Sequence, residues 1–166
     1  MPITPFHFGP GAALHAIAPR QISFLAFCAV NVVIDVESLY NMVSGHARIH
    51  GFVHSVVGAT LMIAITCALF RPAWSVMRRV LRPGVVQLPP PTMRAVVFGA
   101  LLGGYTHVVL DGVMHADMQP FAPFSTANPL LAIIPLGALH LGCAALGVLG
   151  LLILFARWFF GIDKPV

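Results

Sequence analysis

The chain has 166 residues, enough for one domain. Hydrophobic residues make up 58% of it and charged residues 8%, whereas a soluble domain carries about 25% charged side chains. A water-soluble globular protein and a disordered chain are both excluded, and the net charge of +4 has a simpler use in orienting a membrane protein than in binding nucleic acid.

The first segment, Phe6–Ala18, is closed by Pro19-Arg20. Its roughly 13 helical residues would reach only about 20 Å, so it reads as a re-entrant or interfacial helix. With no basic n-region and no small-residue cleavage site it does not read as a signal peptide. Four apolar stretches follow that are long enough to cross a bilayer: Gln21–Tyr40, His50–Phe70, Arg94–Ala116 and Pro129–Phe160, the last opening with an interfacial turn. Between the second and third lies a basic connection, about residues 71–94. In it Ala73–Leu81 predicts a short amphipathic surface helix, broken by Pro83 and Pro89-Pro90-Pro91. The expected fold is an all-α membrane bundle, a single integral domain over residues 1–166. Cys28, Cys67 and Cys143 lie inside apolar stretches without a C-x-x-C pair and read as small buried hydrophobes.

Charge sets the expected orientation. In a four-span chain Arg20, Arg71, Arg78, Arg79, Arg82, Arg94, Arg157 and Lys164 all fall on one side and only Arg48 on the other. The positive-inside rule makes the first side, with the C-terminus, cytoplasmic.

The acidic and imidazole groups gather on the opposite side. Asp35 and Glu37 close the first span, Asp111 and Asp117 the third, and His46, His50, His54, His107, His115 and His140 share that level. Intramembrane ionisable groups are costly and are functional candidates by default. His107, Asp111 and His115 follow i, i+4, i+8 and share a helix face. His46, His50 and His54 have the same spacing, with Gly45 and Gly51 arguing against continuous helix before His50. Asn31 and Asp35 form another i, i+4 pair. Imidazole with carboxylate is a ligand set for zinc and related metals, so the polar layer reads as a candidate metal site. An interhelical hydrogen-bond network and a proton or ion pathway are the other readings of the same residues. If the N-terminal segment folds back along the first span, His7 arrives beside Asp35. His140, about 11 residues into the fourth span, could orient a ligand carboxylate or bind the leaving group.

Several of these pieces occur together in one known family. Thr4-Pro5-Phe6-His7, Asp35-Val36-Glu37, His50-Gly51-Phe52-Val53-His54-Ser55, Gly104-Tyr105-Thr106-His107-Val108-Val109-Leu110-Asp111 and Pro120-Phe121-Ala122-Pro123-Phe124 follow in that order. In this the chain resembles the inner-membrane-associated metal-dependent hydrolases of the LexA-binding, SOS-induced type, found in bacteria and archaea. The resemblance implies a divalent metal held by His7, Asp35, His50, His54, His107 and Asp111, and a hydrolytic activity. This chain has Ile34-Asp35-Val36-Glu37 where the family commonly has Pro-Asp-x-Asp, and its His115-Ala116-Asp117 adds a metal candidate, His115.

The favoured expectation is a membrane-embedded hydrolase of the inner membrane whose site opens to the non-cytoplasmic side. One or two divalent ions, zinc first, would activate water against an ester, amide or phosphodiester of a lipid-like substrate. Glu37 and Asp117 are the candidate general bases, since each adjoins the ligand set without ligand spacing. A metal- or proton-conducting protein, which in so short a chain would require an oligomer, and a regulatory membrane adaptor are the alternatives.

Overall fold

The structure is a computed structural model and describes residues 5–80 and 90–162. All the regular secondary structure among these residues is helical. A 3-10 turn, Pro5–His7, leads into α1 (Phe8–Ile17); α2 (Phe24–Val43), α3 (Val56–Val80), α4 (Met93–Met114) and α5 (Leu136–Phe159) follow, with a second 3-10 turn at Phe52–His54. The last four are each long and apolar enough to cross a membrane, as the hydropathy pattern predicts.

Local chemistry sets the helix starts. The Ser23 hydroxyl accepts from the Ala26 amide and begins α2, and Thr92 does the same for Ala95 at the start of α4. Two boundaries differ from expectation. The second span starts at Val56 rather than His50, because Gly51 and the 3-10 turn carry the chain across the bundle end before helix can form. At its other end α3 runs on through Pro72 to Val80, so the separate surface helix expected from Ala73 is instead the last part of α3. Leu81, Arg82, Pro83, Pro89, Asp163, Lys164 and Thr4 lie outside the described residues.

Helices α2, α3 and α4 form the centre of the bundle around Val30, Ile34, Ala59, Ile63, Ala100 and Val108, with Met118 from the α4–α5 connection closing one end of this core. Ala26, Phe70 and Val96 form a second packed group toward the other end. Small residues permit the close approach: a side chain on Gly103 would run into the Phe27 carbonyl of α2, the usual reason for glycine at a helix contact within a membrane. α1 doubles back along α2, its corner fixed by the His15 ring on the Ile22 carbonyl at 2.7 Å. It lies beside α5 in the same direction, with Gly9 against Cys143 and Gly150 against Ala12. The N-terminal segment is therefore re-entrant, and it carries His7 to the far end of the bundle. The most apolar 18-residue stretch of α4 is 56% buried and that of α5 11%, so α4 is the central helix and α5 the most exposed to surrounding lipid. Cys143 is buried, Cys28 and Cys67 are half-buried, and all three are free thiols.

The connection between α4 and α5 folds back over the end of the bundle away from Arg20, Arg71, Arg78, Arg79 and Arg94. It is tied down by the Val56 amide on the Pro120 carbonyl at 2.8 Å and the Ala132 amide on the Val113 carbonyl at 3.0 Å. The Asn128 amide donates to the Gly112 and His115 carbonyls, satisfying groups that the end of α4 would otherwise leave without partners.

Candidate metal centre

Four elements deliver imidazole and carboxylate groups to one buried place. α2 supplies Asp35, α4 supplies His107 and Asp111 one turn apart, the Phe52–His54 turn supplies His54, and the Pro5–His7 turn supplies His7. Asp35, His54, His107 and Asp111 are all buried, and each offers a ligand-type atom within 4.8 Å of the others. His50, just before the turn, and His115, at the end of α4, form a second such group with Asp111.

The distances have a definite pattern. His107 Nε2 lies 3.2 Å from Asp111 Oδ2 and 3.6 Å from Asp35 Oδ1. His54 Nε2 lies 3.8 Å from Asp111 Oδ2 and 3.9 Å from Asp35 Oδ1. Bonds of about 2.0–2.1 Å place the ligand atoms of a tetrahedral metal about 3.3–3.4 Å apart, so these separations are close to those a single cation requires. His107 Nε2 is buried yet has no hydrogen-bond partner, and the same holds for both ring nitrogens of His7, although His7 Nε2 is 3.1 Å from Asp111 Oδ1. Contacts this short between ring nitrogen and carboxylate, off the line of an N–H bond, suit two ligands turned toward a shared cation. Buried polar atoms are otherwise nearly always hydrogen-bonded. The donor set therefore fits a divalent metal, and this buried His/Asp group could hold one.

The opposite face of each central histidine is occupied. His54 Nδ1 is 3.1 Å from Glu37 Oε2, which also accepts from the Val53 amide at 3.0 Å. His50 Nδ1 is 2.8 Å from Asp117 Oδ1, whose other oxygen accepts from the Ile49 and His50 amides. His107 Nδ1 is 2.9 Å from Asn31 Oδ1, while the Asn31 amide donates to the Phe27 carbonyl. A partner on Nδ1 fixes the ring and leaves Nε2 to face inward, the arrangement that histidine ligands to metals almost always have. Glu37 and Asp117, expected as general bases, thus stand behind histidines.

Charge at the centre is displaced in the matching sense. Burial alone would lower the His54 pKa, but Asp35, Glu37 and Asp111 around the ring raise it to about 9: the surroundings favour positive charge. For Asp117 burial acts upward, and the hydrogen bonds from His50 and Ile49 outweigh it, holding the carboxyl at about 2.

Of the residues singled out from sequence, the fold brings together His7, Asp35, Glu37, His50, His54, His107, Asp111, His115 and Asp117. His7 reaches Asp111 rather than Asp35, because it arrives on the α4 side of the layer, its ring 4.6 Å from that of His107. His46 is exposed and bonded to Asn41, since the chain is turn rather than helix there. His140 stacks on Phe6 at 4.5 Å, so aromatic packing accounts for it. Ser38, whose Oγ lies 3.0 Å from His54 Nε2, was not foreseen; its place three residues after Asp35 is the only sequence signal for it.

Together the fold and the site define a class: a multi-pass helical membrane protein with a buried His/Asp group able to hold a metal ion. Within that class, residues 4–162 match the family model of the YdjM inner membrane protein, and the chain belongs to that family. No curated protein and no solved structure matched the chain.

Proposed function

We propose that the protein is a metal-dependent hydrolase of the inner membrane. The observation that carries this reading is the set of inward-facing Nε2 and carboxylate atoms of Asp35, His54, His107 and Asp111 at ligand separations, with Nδ1 of both histidines already engaged. A divalent cation held there supplies Lewis acidity and lowers the pKa of a bound water toward about 7. The chain's own residues set up the rest. Asn31 and Glu37 orient the His107 and His54 rings, the buried Ser38 hydroxyl hydrogen-bonds His54 Nε2 at 3.0 Å, a contact that a cation bound there would replace, and the apolar core under the layer keeps bulk water to one side.

That side is the one where Glu37, His115 and Asp117 keep partial exposure. It lies away from Arg20, Arg71, Arg78, Arg79 and Arg94, which the positive-inside rule assigns to the cytoplasm, so the site would open to the non-cytoplasmic face, where Arg48 is the one arginine among the described residues. A lipid-borne ester, amide or phosphodiester is the substrate class. In support, the connection that carries Asp117 also exposes Phe121, Phe124, Ile133 and Ile134, apolar side chains suited to the acyl boundary. Arg48 favours an anionic headgroup: its Nε donates to the His50 and Asp117 carbonyls, fixing a guanidinium at the rim.

The test is elemental analysis of the purified protein after loading with zinc, alongside hydrolysis of a panel of fluorogenic lipid esters and phosphodiesters. A stoichiometric metal lost in His107→Ala, with hydrolysis that stops on chelation and returns with zinc, is expected. Absence of bound metal after loading, or hydrolysis indifferent to chelation, would overturn the reading.

A further inference from the structure

Asp111 faces donors on both sides. Its Oδ2 points to His107 and His54, as described, while Oδ1 lies 3.1 Å from His7 Nε2 and 3.9 Å from His115 Nε2. The two ligand-type groups, Asp35/His54/His107/Asp111 and His50/Asp111/His115, have Asp111 alone in common. The His50 and His115 rings stack 4.1 Å apart, and Asp117 occupies Nδ1 of His50, leaving its Nε2 available. We propose that Asp111 bridges two cation centres, the second formed by His50, His115 and Oδ1 of Asp111, with His7 as its further donor.

Two observations beyond proximity support this. His7 is 3% exposed, and neither ring nitrogen has a hydrogen-bond partner. It approaches Asp111 through Oδ1, at 3.1 Å, the oxygen that also faces His115, with its ring 4.6 Å from that of His107, and a cation beside Oδ1 would give its Nε2 a partner. The second observation is charge. Asp35, Glu37, Asp111 and Asp117, all the acidic side chains among the described residues, lie in this layer. Among the described residues, Arg48 at its rim is the one Lys or Arg near the layer. With neutral histidines, one divalent cation balances the charge of two of these carboxylates and two cations balance all four. Buried charge is tolerated when it is paired or bound to metal.

The two centres differ in access. The side chains of Asp35, His54, His107 and Asp111 are at most 9% exposed, whereas His115 retains 21%. The second centre is the outer one, where a ligand from the membrane interface arrives first, and the first centre lies behind it. Paired metals of this kind act as a clamp on the attacking and leaving oxygens of a displacement. This inference rests on the first centre being a metal site.

The experiment counts metal without reference to activity. Wild-type protein, His115→Ala, His50→Ala and His107→Ala are purified in detergent, loaded with Mn²⁺, desalted, and examined by elemental analysis and electron paramagnetic resonance. Wild type should hold two equivalents and give the broadened signal of a coupled Mn²⁺ pair. His115→Ala and His50→Ala should each hold one and give the six-line signal of an isolated ion. Two different outer-centre variants guard against loss of metal through misfolding of either one, and a helical circular dichroism spectrum equal to wild type is required of both. One equivalent in wild type, unchanged in His115→Ala and His50→Ala and lost in His107→Ala, would overturn the second centre while leaving the first intact. No metal in wild type would overturn both.

Discussion

Glu37 separates two accounts of this site. If it acts as a general base, replacing it should leave the metal in place and slow turnover by roughly 10²–10⁴-fold. The structure favours a positioning role: one oxygen, Oε2, accepts from both His54 Nδ1 at 3.1 Å and the Val53 amide at 3.0 Å. Losing such an orienting partner typically weakens metal binding by about 10–100-fold, or about 1.4–2.8 kcal/mol at about 1.4 kcal/mol per tenfold. Glu37→Gln keeps an acceptor oxygen but not the charge and should fall near the lower bound; Glu37→Ala loses both contacts and should reach the upper. Competition for zinc against a chromophoric chelator measures this directly. Gly51 supplies an independent route to the same effect, because a side chain there would strike the Glu37 carboxylate, so Gly51→Ala should weaken zinc binding in parallel. Full zinc affinity in Glu37→Ala together with a thousandfold loss of turnover would refute the positioning account and restore the base.

Other consequences are checked separately. A C-terminal alkaline phosphatase fusion should be inactive and a C-terminal green fluorescent protein fusion bright, as a cytoplasmic C-terminus requires; the reverse would place the site on the other face. Arg48→Ala should raise KM for an anionic lipid substrate several-fold, leaving bound metal unchanged, since Arg48 touches the site only through backbone carbonyls. Gly103→Leu should destabilise the bundle by about 1–3 kcal/mol or more through overpacking, lowering the midpoint of thermal unfolding in detergent, because the added side chain meets the Phe27 carbonyl of α2. Asp117→Asn should remove a contribution to folding that is present above pH 4 and lost as pH falls. The carboxyl is held at about 2 against an ordinary 3.8, so wild type should lose stability progressively below about pH 4, and the variant should show a flatter profile over that range.

The fold was legible in the sequence because a membrane span announces itself by length and hydropathy alone, and 20–25 apolar residues have few alternatives to helix in lipid. The boundaries that moved are those where local chemistry competes with that signal. Residues 50–55 look like the start of a span by composition, yet Gly51 and the demands of Glu37 and Asp117 on the backbone amides of Ile49, His50 and Val53 hold them in turns. The helix expected from Ala73 does form as far as Val80, but as a continuation of α3 through Pro72 rather than as a separate surface element.

The candidate site was legible to a different depth at each level. Periodicity put His107 and Asp111 on one face, and the concentration of acid and imidazole at one end of the spans indicated where to look. What periodicity gives is a face, not a partner. Nothing in the spacing of Asp117 shows that it binds His50 across more than sixty residues of sequence, and nothing in Glu37 shows that it turns back to His54 rather than inward. Those pairings arise because the 3-10 turn and the α4–α5 connection cross the same end of the bundle, a tertiary fact. The consequence is a division of labour among chemically alike groups. Asp35 and Asp111, carried on helices in the buried interior, face the Nε2 atoms; Glu37 and Asp117, nearer the open side, engage Nδ1 and backbone amides. The same carboxylate chemistry thus could serve for holding a cation in one position and serves for aiming a histidine in the other. Only the distances, 3.2 Å from His107 Nε2 to Asp111 against 3.1 Å from His54 Nδ1 to Glu37, read with the ring nitrogen each one involves, tell the two apart.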